Sequence, residues 1–144
     1  MVIAGILKHK GSATMSVGPS ATIAEVAKLL AAKRIGAVLV IDGGNELKGI
    51  LSERDIVKGL AEHGPSMLDK TAGEFMTSDV QVAAPQTTVA QAMEMMTDGR
   101  FRHVPVVEGG RLVGIVSIGD VVKAKIGEAE QEVDSLRAYV AGAA

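Results

Sequence analysis

Residues Pro19 to Lys58 of this chain recur, nearly in register, from Pro85 to Lys123. Pro19-Ser20-Ala21-Thr22-Ile23-Ala24 lies over Pro85-Gln86-Thr87-Thr88-Val89-Ala90, and the alignment runs on through Arg34 over Arg100 and Val38 over Val104 to Gly43-Gly44 over Gly109-Gly110. One residue is then skipped, because Asn45-Glu46 faces only Arg111. Beyond the skip, Gly49, Ile50, Ser52, Asp55 and Lys58 fall on Gly114, Ile115, Ser117, Asp120 and Lys123. A repeat of this length marks one supersecondary unit built twice, and a slip in a glycine turn is where a loop absorbs a length change.

Both copies predict the same elements. Thr22 and Thr88 are N-caps for stretches rich in Ala, Leu and Met with helical spacing, ending near Lys33 and Gly99. The runs 38–41 and 104–107 are closed by an acidic residue and Gly-Gly, then reopened at 47–51 and 112–116, which reads as strand, hairpin turn, strand. A second helix passes through Asp55 to Lys58 and through Asp120 to Lys123, and short strands precede each proline at 14–17 and 80–83. The expected fold is α/β (α+β): tandem β-α-β-β-α units that pack as one pseudo-two-fold module, since one copy cannot cover both faces of its sheet. The expected boundaries are 1–68 for the first repeat with its N-terminal segment, 69–126 for the second, and 127–144 for a C-terminal amphipathic helix with Val133, Leu136 and Val140 on one face.

Composition excludes several functions. Apolar residues form 47 % of the chain and aromatics 2 %, so the core is aliphatic and base-stacking side chains are scarce. The net charge of −2, with both signs mixed, offers no stripe for nucleic acid. Cysteine is absent, which removes disulfides, cysteine zinc sites and thiol catalysis. No apolar run approaches a membrane span, and the expectation is a cytoplasmic protein with no membrane partner. No metal-binding spacing, nucleophile elbow or phosphate-loop lysine is present, so an enzyme is not expected.

The informative segments are Gly49-Ile50-Leu51-Ser52-Glu53-Arg54-Asp55 and Gly114-Ile115-Val116-Ser117-Ile118-Gly119-Asp120. Each runs Gly, two apolar residues, Ser, two variable residues and Asp where a strand passes into a helix. Glycine permits close approach of a ligand or of backbone. Ser sits beside unpaired N–H groups at a helix start, an anion site, and Asp offers two acceptor oxygens suited to vicinal ribose hydroxyls. The same spacing is also a capping box, a structural helix start. Its recurrence in register with the glycine and apolar pair points to a ligand as well.

With Arg102-His103-Val104-Pro105-Val106 and the terminal Leu136-Arg137-Ala138-Tyr139-Val140, these segments resemble the CBS-domain family, whose paired form is called a Bateman module. The likeness covers nearly the whole chain and is strongest to stand-alone bacterial pairs and their plant mitochondrial relatives. It implies a non-catalytic regulatory module that binds AMP, or alternatively ADP, ATP or NAD(H), between the repeats and modulates an unidentified partner. It also implies a homodimer. By resemblance, Asp55 and Ser52 with Gly49 serve one site, with Val17, Ile35, Gly36 and Ala37 near the base. Asp120 and Ser117 with Gly114 serve the other, with Val80, Arg102, His103, Val104 and Pro105. Arg54, Arg102 and His103 are the expected phosphate contacts, and because they fall at opposite ends of the two motifs, unequal sites are expected. The rival reading is a constitutive interaction module with a vestigial cleft.

Overall fold

The computed structural model describes residues 1–11, 13–44 and 46–143. Asn45, the residue of the expected slip, lies outside them. The chain divides into two compact units, Ala13–Val80 and Met1–Ser12 with Gln81–Ala144.

The unit holding the first copy begins with strand β1 (Ser16–Val17) and helix α2 (Ile23–Lys33), α1 being the N-terminal helix of the other unit (Ile3–Lys10). Thr22 caps α2, its Oγ1 accepting from the Glu25 N–H at 3.1 Å. Strands β2 (Ala37–Ile41) and β3 (Leu47–Ser52) form the hairpin, and helix α3 (Glu53–His63) follows. The sheet order is β1-β2-β3, with β1 parallel to β2 and β2 antiparallel to β3. A 3₁₀ turn (Gly64–Asp69) leads to the short helix α4 (Ala72–Phe75). Ile23, Val26 and Leu30, one face of α2, close over Val38, Val40 and Leu51 with Ile56, Met67 and Ala72.

The other unit repeats this plan with α5 (Val89–Gly99), β4 (His103–Glu108), β5 (Arg111–Ser117) and α6 (Ile118–Ala143). Thr88 caps α5 as Thr22 caps α2. Gly109 and Gly110, at φ of 58° and 79°, close the β4–β5 hairpin in the left-handed region that suits a tight two-residue turn. A register shift falls at the same place in both hairpins, between Val40 and Ile41 and between Val106 and Val107. Val89, Ala92 and Met96 cover Val104, Val106 and Val116, with Ile3 and Ile6 of α1 completing the core.

Three expectations are corrected. The strand at 80–83 is a single parallel bridge, Ala83 to Val106, where the first copy has a two-residue strand. The cause is Pro105. In the first copy the Leu39 N–H donates to the Met15 carbonyl, whereas Pro105, which aligns with Leu39, has no N–H to donate.

The N-terminal segment belongs with the second copy, not the first, and residues 69–80 remain with the first. The two helices dock alike. The Ile3 and Ala4 N–H groups donate to the Thr87 and Pro85 carbonyls, as Ala72 and Gly73 donate to Ala21 and Pro19, the aligned positions. Each copy is thus closed by the helix that precedes the other copy in the chain.

The C-terminal helix is not a separate element, because α6 runs unbroken from Ile118 through Ala143. No proline or capping signal interrupts it after Lys123, and Gly127 alone is tolerated within a helix.

Candidate functional site

In each unit the strand-to-helix junction is built by the hairpin. Ala37 pairs with Ser52 and His103 with Ser117, so the start of one strand lies beside the end of the next. The Glu53 N–H donates to the Gly36 carbonyl at 2.9 Å, and the Ile118 N–H to the Arg102 carbonyl at 2.7 Å. The structure therefore brings Gly36 and Ala37 to Ser52, and Arg102 and His103 to Ser117, as expected. Val17 lies beside this hairpin, paired with Val40.

The Ser and Asp of each motif do form capping boxes. Ser52 Oγ accepts from the Asp55 N–H at 3.3 Å, and Asp55 Oδ2 accepts from the Ser52 N–H at 2.9 Å and from its hydroxyl at 3.0 Å. Asp120 Oδ2 accepts from the Ser117 N–H at 2.8 Å, and Ser117 Oγ from the Asp120 N–H at 3.2 Å. Only one oxygen of each carboxylate is engaged among the described residues. Helix capping and a ribose contact through Oδ1 are therefore compatible at one aspartate.

The two junctions differ in charge. Lys10, the last residue of α1, donates from Nζ to Asp120 Oδ2 at 2.6 Å and to the Ile115 carbonyl at 2.9 Å. Partial burial pushes the Asp120 carboxyl up, but the Lys10 ammonium and the Ser117 N–H outweigh it and hold the group below its ordinary value of 3.8. In the first copy the equivalent carbonyl, Ile50, accepts from the Thr77 N–H at 2.9 Å. Among the described residues Asp55 has no lysine or arginine within ion-pairing distance. Arg54 and Arg102 are exposed, and His103 is half-buried.

Three expected ligand residues have other roles or places. Gly49 and Gly114 are buried by the chain itself: a Cβ at Gly49 would lie 2.7 Å from Met76 Sδ and from the Thr77 carbonyl oxygen, and one at Gly114 would lie 2.7 Å from a methyl of Leu7. These glycines admit the segments that close each unit, leaving no gap there for a ligand. Val80 ends the unit of the first copy, and the position equivalent to Val17 is Ala83. The bridge that Pro105 leaves behind is one residue long, and it falls on Ala83. Val104 and Pro105 are buried in β4, and Ile35 packs against the core of its own unit.

Lys10 is the site residue that sequence reasoning missed. Its signal, Lys8-His9-Lys10 after an apolar run, reads as a flank, because nothing local shows that α1 docks on the second copy. A surface depression of ≈ 550 Å³ beside Gln91, Glu94 and Asp98 on α5 contains none of the expected residues. Among the described residues no cluster of His, Cys, Asp and Glu forms a metal site, and no helix is long and apolar enough to cross a membrane.

The CBS domain family matches twice, at residues 13–62 and 72–127. The mitochondrial CBS domain-containing protein CBSX3 of Arabidopsis thaliana is 33 % identical over 97 % of this chain and 72 % of its own length. Of a longer CBS domain-containing protein of the same plant, the chain spans only 24 %. The crystal structure of the CBS-domain protein ATU1752 from Agrobacterium tumefaciens is 46 % identical, with a TM-score of 0.85 over 87 % of this chain and 99 % of that one. The CBS domain protein PAE2072 from Pyrobaculum aerophilum, solved in complex with AMP, is 32 % identical with a TM-score of 0.74, over 83 % of this chain and 89 % of its own. The repeated junctions and both family matches agree: this chain belongs to the CBS-domain family and carries a pair of its domains.

Proposed function

We propose that this chain is a regulatory adenine-nucleotide sensor in which each capped junction holds the adenosine part of the ligand. CBS-pair proteins are regulatory, and a similar pair has been crystallised with AMP. The observation that carries the reading is the twice-built Ser–Asp turn, which spends one carboxylate oxygen on the helix and leaves the other for a ribose hydroxyl. AMP is the first choice of ligand. Phosphate falls to Ser52 with Arg54 in one site and to Ser117 with Arg102 and His103 in the other, as charge-assisted hydrogen bonds. Ligand binding shifts the population of conformations by its difference in affinity between them, and the output passes to a partner.

The test is a thermal-shift and calorimetric panel of adenosine, AMP, ADP, ATP and NADH on the full chain. A ligand at about 100 times its dissociation constant adds about 2.7 kcal/mol of stability. A shift of several degrees that Asp55→Ala and Asp120→Ala together abolish is expected. A panel without any shift refutes the sensor reading and favours a constitutive interaction module.

A further inference from the structure

The second half of α6 has a face that nothing in its own unit covers. Every described side chain from Ala129 to Gly142 is exposed, including Leu136 at 63 % and Val140 at 62 %. Val122, Ile126, Ala129, Val133, Leu136 and Val140 follow one another at spacings of four, three, four, three and four. That is a heptad seam, with Ile126, Val133 and Val140 at a and Val122, Ala129 and Leu136 at d. The docked face of α6 is a different one: Val121 is fully buried, and the seam is centred about 100° round the helix from it. A helix of this length, exposed on all sides, gains little from propensity alone and needs a packed apolar stripe.

The flanking charges identify what packs there. With this register, Lys125 and Glu132 occupy g, and Lys123, Glu130 and Arg137 occupy e. In a parallel pair each g residue faces the e residue five positions on in the other helix. A second copy of this chain then sets Lys125 against Glu130 and Glu132 against Arg137, twice each by symmetry. In the fully overlapped antiparallel pair, Glu130 faces Glu130, Glu132 faces Glu132 and Lys123 faces Arg137. Opposite charges across a seam select orientation and partner, and like charges reject the alternative.

From this register we infer that α6 is a dimerisation arm that forms a parallel, in-register two-stranded coiled coil with the same helix of a second copy. The β-branched Val and Ile at a with Leu136 at d suit two strands. This inference does not depend on nucleotide binding.

The experiment is sedimentation velocity of the full chain over a wide concentration range, with far-ultraviolet circular dichroism to follow folding. A concentration-dependent monomer–dimer equilibrium is expected. Leu136→Asp should raise the dissociation constant at least a hundredfold. Glu132→Lys and Arg137→Glu should each weaken the dimer about tenfold, through two repulsive contacts apiece. The double variant carrying both should recover to within about threefold of the parent, because the exchanged charges again face each other only in the parallel register. Three results would overturn the inference: a monomer at every concentration, a dimer indifferent to Leu136→Asp, or a double variant weaker than either single one. A monomeric chain would assign the seam to a different protein's helix.

Discussion

Replacing Lys10 with Met keeps the length and apolar stem of the side chain and removes its charge and its donors. In the native chain the ammonium lies 2.6 Å from Asp120 Oδ2, with side-chain exposures of 33 % for Lys10 and 25 % for Asp120. A pair this exposed is screened by solvent, and its net worth is about 1 kcal/mol. The ammonium sits on Oδ2 and a ribose hydroxyl takes Oδ1, so the two share the charge of one carboxylate; removing the ammonium leaves that charge to the ribose and returns up to about 1 kcal/mol to ligand binding, roughly a fivefold gain in affinity. The gain should be full for adenosine, which has no anion to offer Lys10. It should be smaller or reversed for AMP, whose phosphate gives the released ammonium a new partner. The assay is isothermal titration of both ligands into Asp55→Asn and into Asp55→Asn with Lys10→Met. The amide at position 55 preserves the helix cap while disabling the first ribose site, so only the second site is read. Adenosine affinity unchanged or weakened by Lys10→Met would refute the sharing of that charge between Lys10 and ribose.

The same ion pair makes an acid-sensitive contribution to stability. The Asp120 carboxyl is depressed in the folded state, so its contribution is fully present above the unfolded value near 3.8 and is lost as pH falls through the lower folded value. The melting difference between the parent and Asp120→Asn should therefore hold steady at neutral pH and collapse in strong acid. A difference independent of pH would contradict the ion pair. Gly49→Ala should destabilise by about 1–3 kcal/mol in urea unfolding, because its Cβ meets the Thr77 backbone as well as Met76. Gly114→Ala should cost less, since only the end of Leu7 must turn aside, and equal costs would show that Leu7 is as fixed as backbone. Arg34 and Arg100 end α2 and α5 at φ of 54° and 56°, in the left-handed region where glycine is favoured. Arg100→Gly should leave stability unchanged or raise it by a few tenths of a kcal/mol, read by the same unfolding curves, and a loss above about 1 kcal/mol would mean that the arginine side chain makes contacts of its own.

Local signals in the sequence carried far. Thr22 and Thr88 are the caps because a threonine before an apolar run can satisfy one of the free N–H groups at a helix start, and both helices end at the residues expected. The hairpins follow from short apolar runs closed by an acidic residue and paired glycines, and the Ser–Asp junctions from their spacing and its recurrence. What failed depended on partners distant in sequence. Pro105 lies in an apolar run that reads as a strand, and its missing N–H matters only because Gln81 aligns with Met15, whose carbonyl accepts from Leu39 in the first copy. At Gly49 and Gly114 the sequence leaves close approach of a ligand or of the chain open, because Met76 and Leu7, which lie against them, are 27 and 107 positions away in the chain.

The exchange of closing helices is where symmetry of sequence turns into asymmetry of site. Both copies present the same carbonyl, Ile50 or Ile115, to the segment that closes them. In the first copy that segment leaves its helix at Met76, so the Thr77 backbone answers the carbonyl and brings no charge. In the second, α1 stays helical to Lys10, so a side chain must answer instead, and an ammonium long enough to reach Ile115 also reaches Asp120. The length of one helix thus decides which aspartate carries a built-in counterion. Arg54 and Arg102 add to the difference, but they are exposed to solvent, whereas Lys10 acts on the carboxylate itself. The difference in charge between the two junctions therefore rests less on the basic residues inside the repeated motifs than on a lysine outside both.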